Sequence, residues 1–373
     1  MLISSRLFFV CCTVICIVVG GNSQAAAVND FQDPLSTPAL KIGGALKLEQ
    51  QPILAVTAVK GRIIGAGLRG LIVLSDDGGI TWRQAQVPVQ SDLTALSFPT
   101  QTRGWAVGHD GVILTTYDAG ETWTKQFDGK MAATLLPAYY QKRIDAGEAG
   151  MQRYLDHVKL NDKRASATLP YLSVYFENEQ TGYAVGSFGS IMVTQDGGKA
   201  WEPWLHRFDD NPFFNLYDIR KIGSTLYISS ERGIIWKFNK TKQGFVSIST
   251  GYLGSFFGID GHDDTLLAVG LGGTAFRSAD SGLTWQSISI GTRAALTAVT
   301  TMHGGLEPLI ISLDGELFIS DADWKSFRAL PIERPMMYTS SGAVDATGRI
   351  ILAGYRGIRV KAVNPMLSTS KAK

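Results

Sequence analysis

The chain has 373 residues, of which 45% are hydrophobic and 18% charged, and its formal net charge is +2. This length suits one large domain or two ordinary ones, and a charge so close to zero gives no support for a nucleic-acid ligand or an anionic membrane surface. With 41 glycines and 13 prolines, turns are frequent, so a β-rich globular protein is expected.

The first segment has the features of a secretory signal peptide. Arg6 precedes a 14-residue apolar run, and small residues in an Ala-x-Ala pattern follow, so cleavage is expected after Ala27 or, nearly as readily, after Ala25. An uncleaved membrane anchor is the alternative, but the run is shorter than the ~20 residues that a spanning helix needs. We therefore expect residues 1–27 to be removed and residues 28–44 to form a loose leader.

The cysteines exclude several kinds of chemistry. All three, Cys11, Cys12 and Cys16, lie within the signal peptide. The mature chain would therefore have no disulfide, no thiol nucleophile and no thiolate ligand for a metal. The five histidines are scattered, without H-x-H or H-E-x-x-H spacing, so we predict neither a metal site nor a cofactor.

The rest of the chain repeats one unit of a strand, a G-x-x-G turn, a second strand and an Asp/Gly turn that closes on tryptophan. Four copies are clear and three are weaker. In chain order the seven copies lie at 65–82, 106–123, 184–201, 227–238, 268–285, 310–321 and 351–362. Between the last glycines of successive turns, five of the six gaps are 40–44 residues, and the sixth, of 78 residues, holds an insertion. A repeat of this length with about four short strands is typical of a β-propeller blade.

Both ends of the repeat region are expected to contribute to closing the ring. The strands predicted for the first and last blades are 53–59, 62–67, 71–75, 81–87, 338–344, 349–354 and 358–363. The last blade lacks a fourth strand, which we expect residues 45–50 to supply, because a closed ring has no free sheet edge. The predicted fold is an all-β, seven-bladed β-propeller over 45–363, with a disordered tail at 364–373.

A small helical insertion is predicted at 129–170, between blades two and three. Leu136, Tyr140 and Ile144 are four residues apart, which is a helical spacing, and we expect two short amphipathic helices broken near 146–150. An inter-blade connection lies on the same face as the G-x-x-G turns, opposite the Asp/Gly turns. The insertion is either a decoration packed on the rim or a lid or docking arm, and its length favours the second interpretation.

Residues 65–70 read GAGLRG, a literal G-x-G-x-x-G. A dinucleotide-binding loop of this form leads into a helix whose N-terminus meets the pyrophosphate. Here β-branched, strand-like residues follow instead. We therefore expect the glycines to supply positive φ angles in a hairpin, and we predict no nucleotide ligand.

The Asp/Gly turns carry a second motif. Four copies read S-x-D-x-G-x-T-W or a close variant, which is the Asp box, also called the BNR repeat. The aspartate is expected to accept backbone N–H groups within its own turn, and the tryptophan to pack on the neighbouring strand or blade. These residues are therefore predicted to be structural rather than catalytic. They are Asp77 and Trp82, Asp118 and Trp123, Asp196 and Trp201, and Asp280 and Trp285.

Through these boxes, the A-V-G-x-x-G strands before them and the signal peptide, the chain resembles the Ycf48-like photosystem II stability/assembly factor family. The resemblance covers roughly residues 45–362. It implies a non-enzymatic exported assembly factor, periplasmic or in a thylakoid lumen, that holds a membrane-protein client and associates with the membrane peripherally.

Arginines are predicted to mark the binding face. Three occupy tips of G-x-x-G turns and three lie in inter-blade connections, hence on the same face. The turn arginines are Arg69, Arg232 and Arg356, and the connection arginines are Arg207, Arg293 and Arg334. Guanidinium groups suit carboxylates, including a chain terminus. An ordinary solvated surface is the simpler interpretation of any one arginine, whereas the set predicts a site for a membrane protein or complex.

A sialidase-like glycoside hydrolase acting on extracytoplasmic glycans is the alternative function. Sialidases share Asp boxes, but their usual Phe-Arg-Ile-Pro start is absent from this sequence and their ring has six blades. Other glycosidases need two carboxylates at a set spacing, for which Asp110 and Asp314 are the first pair to inspect. Because a fold alone does not specify a function, this alternative stays open behind the non-catalytic one.

Overall fold

A computed structural model describes residues 32–42, 47–165, 169–210, 213–302, 307–321, 323–332, 337–344 and 349–362. Within these ranges the chain forms seven antiparallel sheets in sequence order, six of four strands and one of three. Each sheet is a meander in which consecutive strands are hydrogen-bonded neighbours. The all-β, propeller-like fold that the repeat predicts is therefore present, with two helices inserted.

The first three sheets flank the helical insertion. Sheet 1 consists of β1 (Ile53–Val59), β2 (Arg62–Gly67), β3 (Ile72–Ser75) and β4 (Arg83–Gln84), and sheet 2 of β5 (Leu93–Ser97), β6 (Gly104–Gly108), β7 (Ile113–Thr116) and β8 (Thr124–Phe127). The helices α1 (Gly129–Asp145) and α2 (Gln152–Ala165) follow. Sheet 3 consists of β9 (Tyr171–Phe176), β10 (Gly182–Gly186), β11 (Ile191–Thr194) and β12 (Glu202–Pro203).

The remaining sheets follow without helices. Sheet 4 consists of β13 (Leu216–Ile222), β14 (Thr225–Ser230), β15 (Ile234–Asn239) and β16 (Gly244–Ser249), and sheet 5 of β17 (Phe256–His262), β18 (Thr265–Gly270), β19 (Thr274–Ser278) and β20 (Gln286–Ser289). Sheet 6 consists of β21 (Leu296–Met302), β22 (Glu307–Ser312), β23 (Leu317–Ser320) and β24 (Phe327–Leu330), and sheet 7 of β25 (Tyr338–Val344), β26 (Arg349–Gly354) and β27 (Gly357–Ala362).

The core lies between the sheets rather than at one centre. Seven hydrophobic clusters each join two consecutive sheets. The cluster between sheets 7 and 1 brings Ile351 and Ala353 against Ile53 and Ile63, and β25 packs beside β1. All five residues of β10 are buried, because both faces of the sheet are covered. A strand buried on both faces is a continuous apolar run rather than an alternating one.

Polar side chains on the first strands join neighbouring sheets. Ser97 Oγ accepts the Phe176 N–H at 2.9 Å, from sheet 3 to sheet 2. Asp260 Oδ2 accepts the Thr301 N–H at 2.7 Å, from sheet 6 to sheet 5. Backbone N–H groups that have no strand partner are paired in this way. The first strands of the sheets are therefore hydrogen-bonded between sheets as well as within them.

Basic side chains link the Asp-box turns to the preceding sheet. In four cases the acceptor is the carbonyl of the residue directly after the box aspartate. The pairs are Arg349 to Gly78 at 3.4 Å, Arg62 to Ala119 at 3.1 Å, Arg103 to Gly197 at 3.0 Å and Lys237 to Ser281 at 2.8 Å. They connect sheet 7 with 1, 1 with 2, 2 with 3 and 4 with 5.

The segment before sheet 1 differs from the expectation. Over 32–42 the leader is not loose, because Leu35 is 5% exposed in the core between sheets 1 and 2 and the Ala39 N–H donates to the Val87 carbonyl at 3.0 Å. Leu48–Gln50 is a 3-10 turn rather than the expected fourth strand of the last blade, and it packs on β27. Residues 1–31, 43–46 and 363–373 lie outside the described residues, and so does the predicted signal peptide.

Candidate functional site

The turns between the second and third strands of sheets 1 to 5 share one backbone shape. Four of them read G-x-x-G, and that of sheet 4 has Ser230 in place of the first glycine. The residue before the second glycine and that glycine both have positive φ, as in a type I′ turn. These pairs are Arg69 and Gly70, Asp110 and Gly111, Phe188 and Gly189, Arg232 and Gly233, and Gly272 and Gly273. The first residue of each pair is at the tip of its turn, so the turn presents one variable side chain on a fixed backbone.

The first glycine of each turn has a different role from the one predicted. Gly67 is extended, with φ of −155°, and a Cβ there would lie 2.2 Å from the Pro52 carbonyl oxygen. A Cβ on Gly65 would lie 2.4 Å from Ile358 Cδ1. The prediction that the glycines supply positive φ is therefore correct only for Gly70, and the other two allow close approach. β3 follows rather than a helix, which agrees with the rejection of a nucleotide loop.

The connections to the next sheet pack on these turns. The Gly70 N–H donates to the Ser91 carbonyl at 2.8 Å and the Gly233 N–H to the Gly254 carbonyl at 2.7 Å. We call the G-x-x-G turns, together with the connections at 85–92, 250–255 and 290–295 that pack on them, the G-x-x-G edge. Turns and connections therefore form one surface, as the repeat predicts.

The helical insertion lies on this edge. A Cβ on Gly111 would be 3.0 Å from the Gly129 N at the start of α1, and the His157 Nε2 of α2 lies 2.9 Å from the Phe188 carbonyl oxygen. Tyr140 is fully buried in a cluster that also contains residues of sheets 3 and 4. The helices are thus fixed to the rim. Among the described residues, neither helix has the length and apolarity needed to cross a membrane.

One histidine beneath the insertion has an unusual environment. The His206 ring lies 5.8 Å from the Tyr139 ring, 5.9 Å from that of Tyr140 and 6.4 Å from that of Tyr154. Neither of its ring nitrogens has a hydrogen-bond partner among the described residues. Burial, and then the charges of Arg143 and Arg207, lower the pKa of His206 to about 3. The ring is therefore neutral at physiological pH.

Four of the six predicted arginines are exposed on the G-x-x-G edge: Arg69, Arg232, Arg293 and Arg356. The Arg69 N–H donates to Asp92 Oδ1 at 2.7 Å, and the Arg232 guanidinium carbon lies 5.6 Å from the centre of the Phe214 ring. Within the described part of the chain, none of the four guanidinium groups forms an ion pair. They are available to a ligand.

The other two arginines do not add to this set. Arg207 Nη1 donates to the Gln243 carbonyl at 3.1 Å, and Gln243 is in the tight turn between β15 and β16, at the same edge as the Asp boxes. The prediction that Arg207 lies on the G-x-x-G edge is therefore wrong. After β12 the chain turns back and runs beside β16, where Phe208 pairs with Phe245, instead of following the G-x-x-G edge. Arg334 lies outside the described residues.

Two acidic residues of the G-x-x-G edge are engaged by neighbouring residues of that edge. Asp110 Oδ2 accepts the Ser91 hydroxyl at 2.7 Å, and Glu231 Oε1 accepts the Asn215 amide at 2.8 Å. Asp110 and Asp314, the pair considered for a glycosidase, lie on turns of sheets 2 and 6, which are not neighbours.

Apolar side chains share the edge with the arginines, and sequence reasoning missed them. Leu253 is 89% exposed, Leu271 52%, Tyr355 50% and Phe188 49%. Met337, whose carbonyl accepts the Tyr355 N–H, is 49% exposed beside them. The available signal was a large apolar residue in a Gly-flanked turn, as in Y-L-G at 252–254 and V-G-L-G-G at 269–273. Such residues in a turn have no core to face.

The opposite edge holds the Asp boxes. Asp77 Oδ1 accepts the Ser75 hydroxyl at 2.8 Å, and Asp77 Oδ2 accepts the Thr81 hydroxyl at 2.5 Å. Trp82 Nε1 donates to the Gly79 carbonyl at 3.1 Å. The boxes of Asp118, Trp123, Asp280 and Trp285 repeat these bonds. Asp196 accepts the Ala200 N–H, and Trp201 is 5% exposed without a partner for Nε1 among the described residues.

Hydrogen bonds keep these carboxylates charged. The Thr81 hydroxyl, followed by its N–H, holds the pKa of Asp77 far below its ordinary value, and the same contacts from Thr284 lower the pKa of Asp280 to about 2. A group with so low a pKa is an acceptor at neutral pH and not a proton donor. Sequence reasoning missed a further brace, Asp321, which accepts the Ser326 hydroxyl at 2.5 Å.

A polar cavity is lined by residues from the first strands of sheets 1 to 6. Arg220 Nε donates to Asp218 Oδ2 at 3.3 Å, and the charges of Asp218 and Asp260 raise the pKa of Arg220. Burial raises the pKa of Asp260. The guanidinium charge of Arg220 is therefore compensated by nearby carboxylates.

Several known proteins are similar to this chain. A family model for the Photosynthesis system II assembly factor YCF48 matches residues 50–135. The Photosystem II assembly lipoprotein Ycf48 of Synechococcus sp. (strain CC9902) is 24% identical over 255 residues, covering 60% of this chain and 71% of the relative. The Photosystem II assembly protein Ycf48 of Synechococcus sp. (strain JA-3-3Ab) is 28% identical over 267 residues, covering 56% and 78%.

Solved structures have a fold similar to that of this chain. The structure of YCF48 bound to D1 peptide has a TM-score of 0.62 at 15% identity and covers 88% of this chain and 99% of that one. The WD40 β-propeller domain of Doa1 has a TM-score of 0.59 at 12% identity, covering 88% and 95%. Identities this low show the fold alone. With the family model and the relatives, they confirm the resemblance to the Ycf48-like photosystem II assembly factor family.

Proposed function

From its similarity to Ycf48-like assembly factors, we propose that this chain is a non-catalytic, exported scaffold that binds a membrane-protein client through the G-x-x-G edge. The observation that carries the proposal is the placement of Arg69, Arg232, Arg293 and Arg356, which are exposed and without ion pairs on one edge. Free guanidinium groups on a rigid surface suit carboxylates of a partner.

The client is proposed to be a membrane protein under assembly. One solved Ycf48 structure contains a D1 peptide, and we infer that this chain likewise binds a segment of a client. The chain itself would associate with the membrane peripherally, from the periplasm or a thylakoid lumen, after export by the segment 1–27.

The finer fold belongs to the same proposal. We infer that the seven sheets are the blades of a closed seven-bladed propeller braced by Asp boxes. The packing of β25 on β1 and the shared core of sheets 7 and 1 support closure. A rigid ring would keep the arginines of sheets 1 and 7 side by side.

The glycosidase alternative has little support. The box aspartates accept hydrogen bonds from their own turns, and Asp110 is held by Ser91. An inverting or retaining mechanism needs one carboxyl group with a raised pKa beside a second carboxylate. Among the described residues the only aspartate with a raised pKa is Asp260, which is buried and accepts the Thr301 N–H.

The test is a pull-down of tagged mature protein from detergent-solubilised membranes of the native host, read out by mass spectrometry. The variant carries Arg69→Glu, Arg232→Glu and Arg356→Glu. Its matched control carries Lys199→Glu, Lys240→Glu and Lys325→Glu, exposed residues on the Asp-box edge, and so changes the charge by the same amount.

We expect wild type and control to capture the same membrane protein and the arginine variant to lose it, with all three keeping their thermal unfolding temperature. Equal capture by both variants would place binding elsewhere on the molecule. Glycan hydrolysis by the purified protein would favour the alternative.

A further inference from the structure

We propose that Arg232, Leu253, Leu271 and Arg293 form a specificity patch on sheets 4 and 5 that takes an aliphatic side chain of the client from an extended segment with carboxylates on both sides of it. This inference rests on the proposed function and names the chemistry of the segment that the G-x-x-G edge would bind. The client would then be selected by sequence and not by charge alone.

The four residues follow one another along the edge. Arg232 is at the tip of the sheet 4 turn. The N–H of the next residue, Gly233, donates to the Gly254 carbonyl of the following connection at 2.7 Å. Leu253 directly precedes Gly254. The Tyr252 hydroxyl then reaches the sheet 5 turn and donates to the Leu271 carbonyl at 3.0 Å.

At the other end of the patch, Arg293 lies next to the sheet 5 turn. A Cβ on Gly273 would lie 3.2 Å from the Cα of Arg293 and 2.0 Å from the Thr292 carbonyl oxygen. The connection that carries Arg293 therefore packs directly on the sheet 5 turn that carries Leu271. The order along the edge is one arginine, two leucines and one arginine.

The two leucines are presented on a fixed backbone. Leu253 is 89% exposed and Leu271 52%, so most of their apolar surface faces water. The Tyr252 ring beside them lies 5.2 Å from the Phe256 ring and 5.8 Å from the Phe276 ring, which anchors the connection in the core. A preorganised apolar surface loses little conformational entropy when a ligand covers it.

The charges at either end define the flanks of the ligand. Neither Arg232 nor Arg293 forms an ion pair within the described ranges, and the neighbouring Glu231 already accepts the Asn215 amide at 2.8 Å. A segment with an aliphatic residue between acidic residues is complementary to this arrangement. A purely acidic segment would leave both leucines exposed.

The experiment measures binding of two fluorescein-labelled peptides by anisotropy at low salt. One is a short acidic peptide with a single central leucine, and the other has that leucine replaced by serine. Because removing a leucine side chain from water on binding stabilises the complex, we expect wild type to bind the leucine peptide at least about tenfold more tightly.

Two double variants test whether Leu253 and Leu271 cause the preference for the leucine peptide. Leu253→Ser with Leu271→Ser is expected to bind both peptides alike. The control, Ile80→Ser with Leu283→Ser, removes residues that are 81% and 77% exposed on the Asp-box edge, and it should keep the wild-type preference.

The outcomes separate this inference from the proposed function. If wild type does not distinguish the peptides, or if the Leu253/Leu271 variant still distinguishes them, the specificity patch is refuted. This holds even if the client is still captured from membranes. Displacement of the leucine peptide by anionic phosphatidylglycerol vesicles would assign the patch to a lipid surface and would also overturn it. A peptide preference lost with the leucines, together with no capture of any membrane protein, would leave the patch standing and refute the assembly role.

Discussion

His206 is held neutral by its surroundings. Three tyrosine rings enclose it, and the charges of Arg143 and Arg207 oppose its protonation. Its pKa is about 3 in the folded protein, against about 6.5 for an unfolded chain. Between those pH values the unfolded state binds more protons, so the folded state loses stability as the pH falls.

We therefore expect the free energy of unfolding to drop by up to about 1.4 kcal/mol per pH unit below pH 6.5 through this residue. His206→Phe should remove that part of the slope, since phenylalanine does not titrate. Urea unfolding at pH 7 and pH 5 measures this pH dependence of the free energy of unfolding. His262→Phe, at an exposed histidine, is the control, and equal slopes for the two variants would contradict the assignment.

At the scale of elements, the insertion depends on a few buried contacts. Tyr140 of α1 is 0% exposed, and Tyr154 and Leu155 of α2 are 4% and 2% exposed. The Tyr140 hydroxyl forms no well-aligned hydrogen bond among the described residues, although the His206 backbone lies close enough to favour its ionised form. We therefore expect the ring to contribute most of the stability. Burying an unpaired hydroxyl is unfavourable.

Tyr140→Phe should therefore leave the thermal unfolding temperature unchanged or raise it. Tyr140→Ala should cost about 3–5 kcal/mol, the usual range for a large buried aromatic residue. Differential scanning calorimetry on both variants decides this. A substantial loss in Tyr140→Phe would mean that the hydroxyl has a partner, for instance a buried water molecule.

The sequence predicts the elements of this protein well, and specific contacts less well. β1, β2, β25 and β26 coincide with the predicted strands, because turn residues delimit each run of β-branched residues. The ordered leader was missed, because Leu35 is an isolated apolar residue in a polar stretch. The path of Arg207 was missed because the short β12 and the turn after it depend on packing against sheet 4, which has no local signal.

At the scale of the whole molecule, bonds from basic side chains to Asp-box turns connect four pairs of consecutive sheets. Arg103 is the most buried member, at 6% exposed. Its guanidinium carbon lies 4.5 Å from the Trp105 ring centre and 3.4 Å from that of Tyr117, and Nη2 donates to the Gly197 carbonyl. The Asp box therefore supports the neighbouring sheet as well as its own turn.

Arg103→Met should cost about 1–3 kcal/mol, because a carbonyl loses a charged donor and two rings lose a cation. Unfolding should stay a single transition, since sheet 2 shares hydrophobic clusters with both sheet 1 and sheet 3. Chemical denaturation followed by tryptophan fluorescence tests both points. Arg328→Met, at an exposed arginine, should change stability by less than about 0.5 kcal/mol.

The type I′ turns of sheets 1 to 5 have a consequence for how such a protein can change its ligand. The tip position holds arginine, aspartate, phenylalanine, arginine and glycine on one backbone shape. The glycines around it maintain the fold, and the tip residue is free to vary. On the proposed function, the tip residue would determine what each turn recognises while the glycines keep its backbone shape, so the sheets could differ in what they bind without differing in fold.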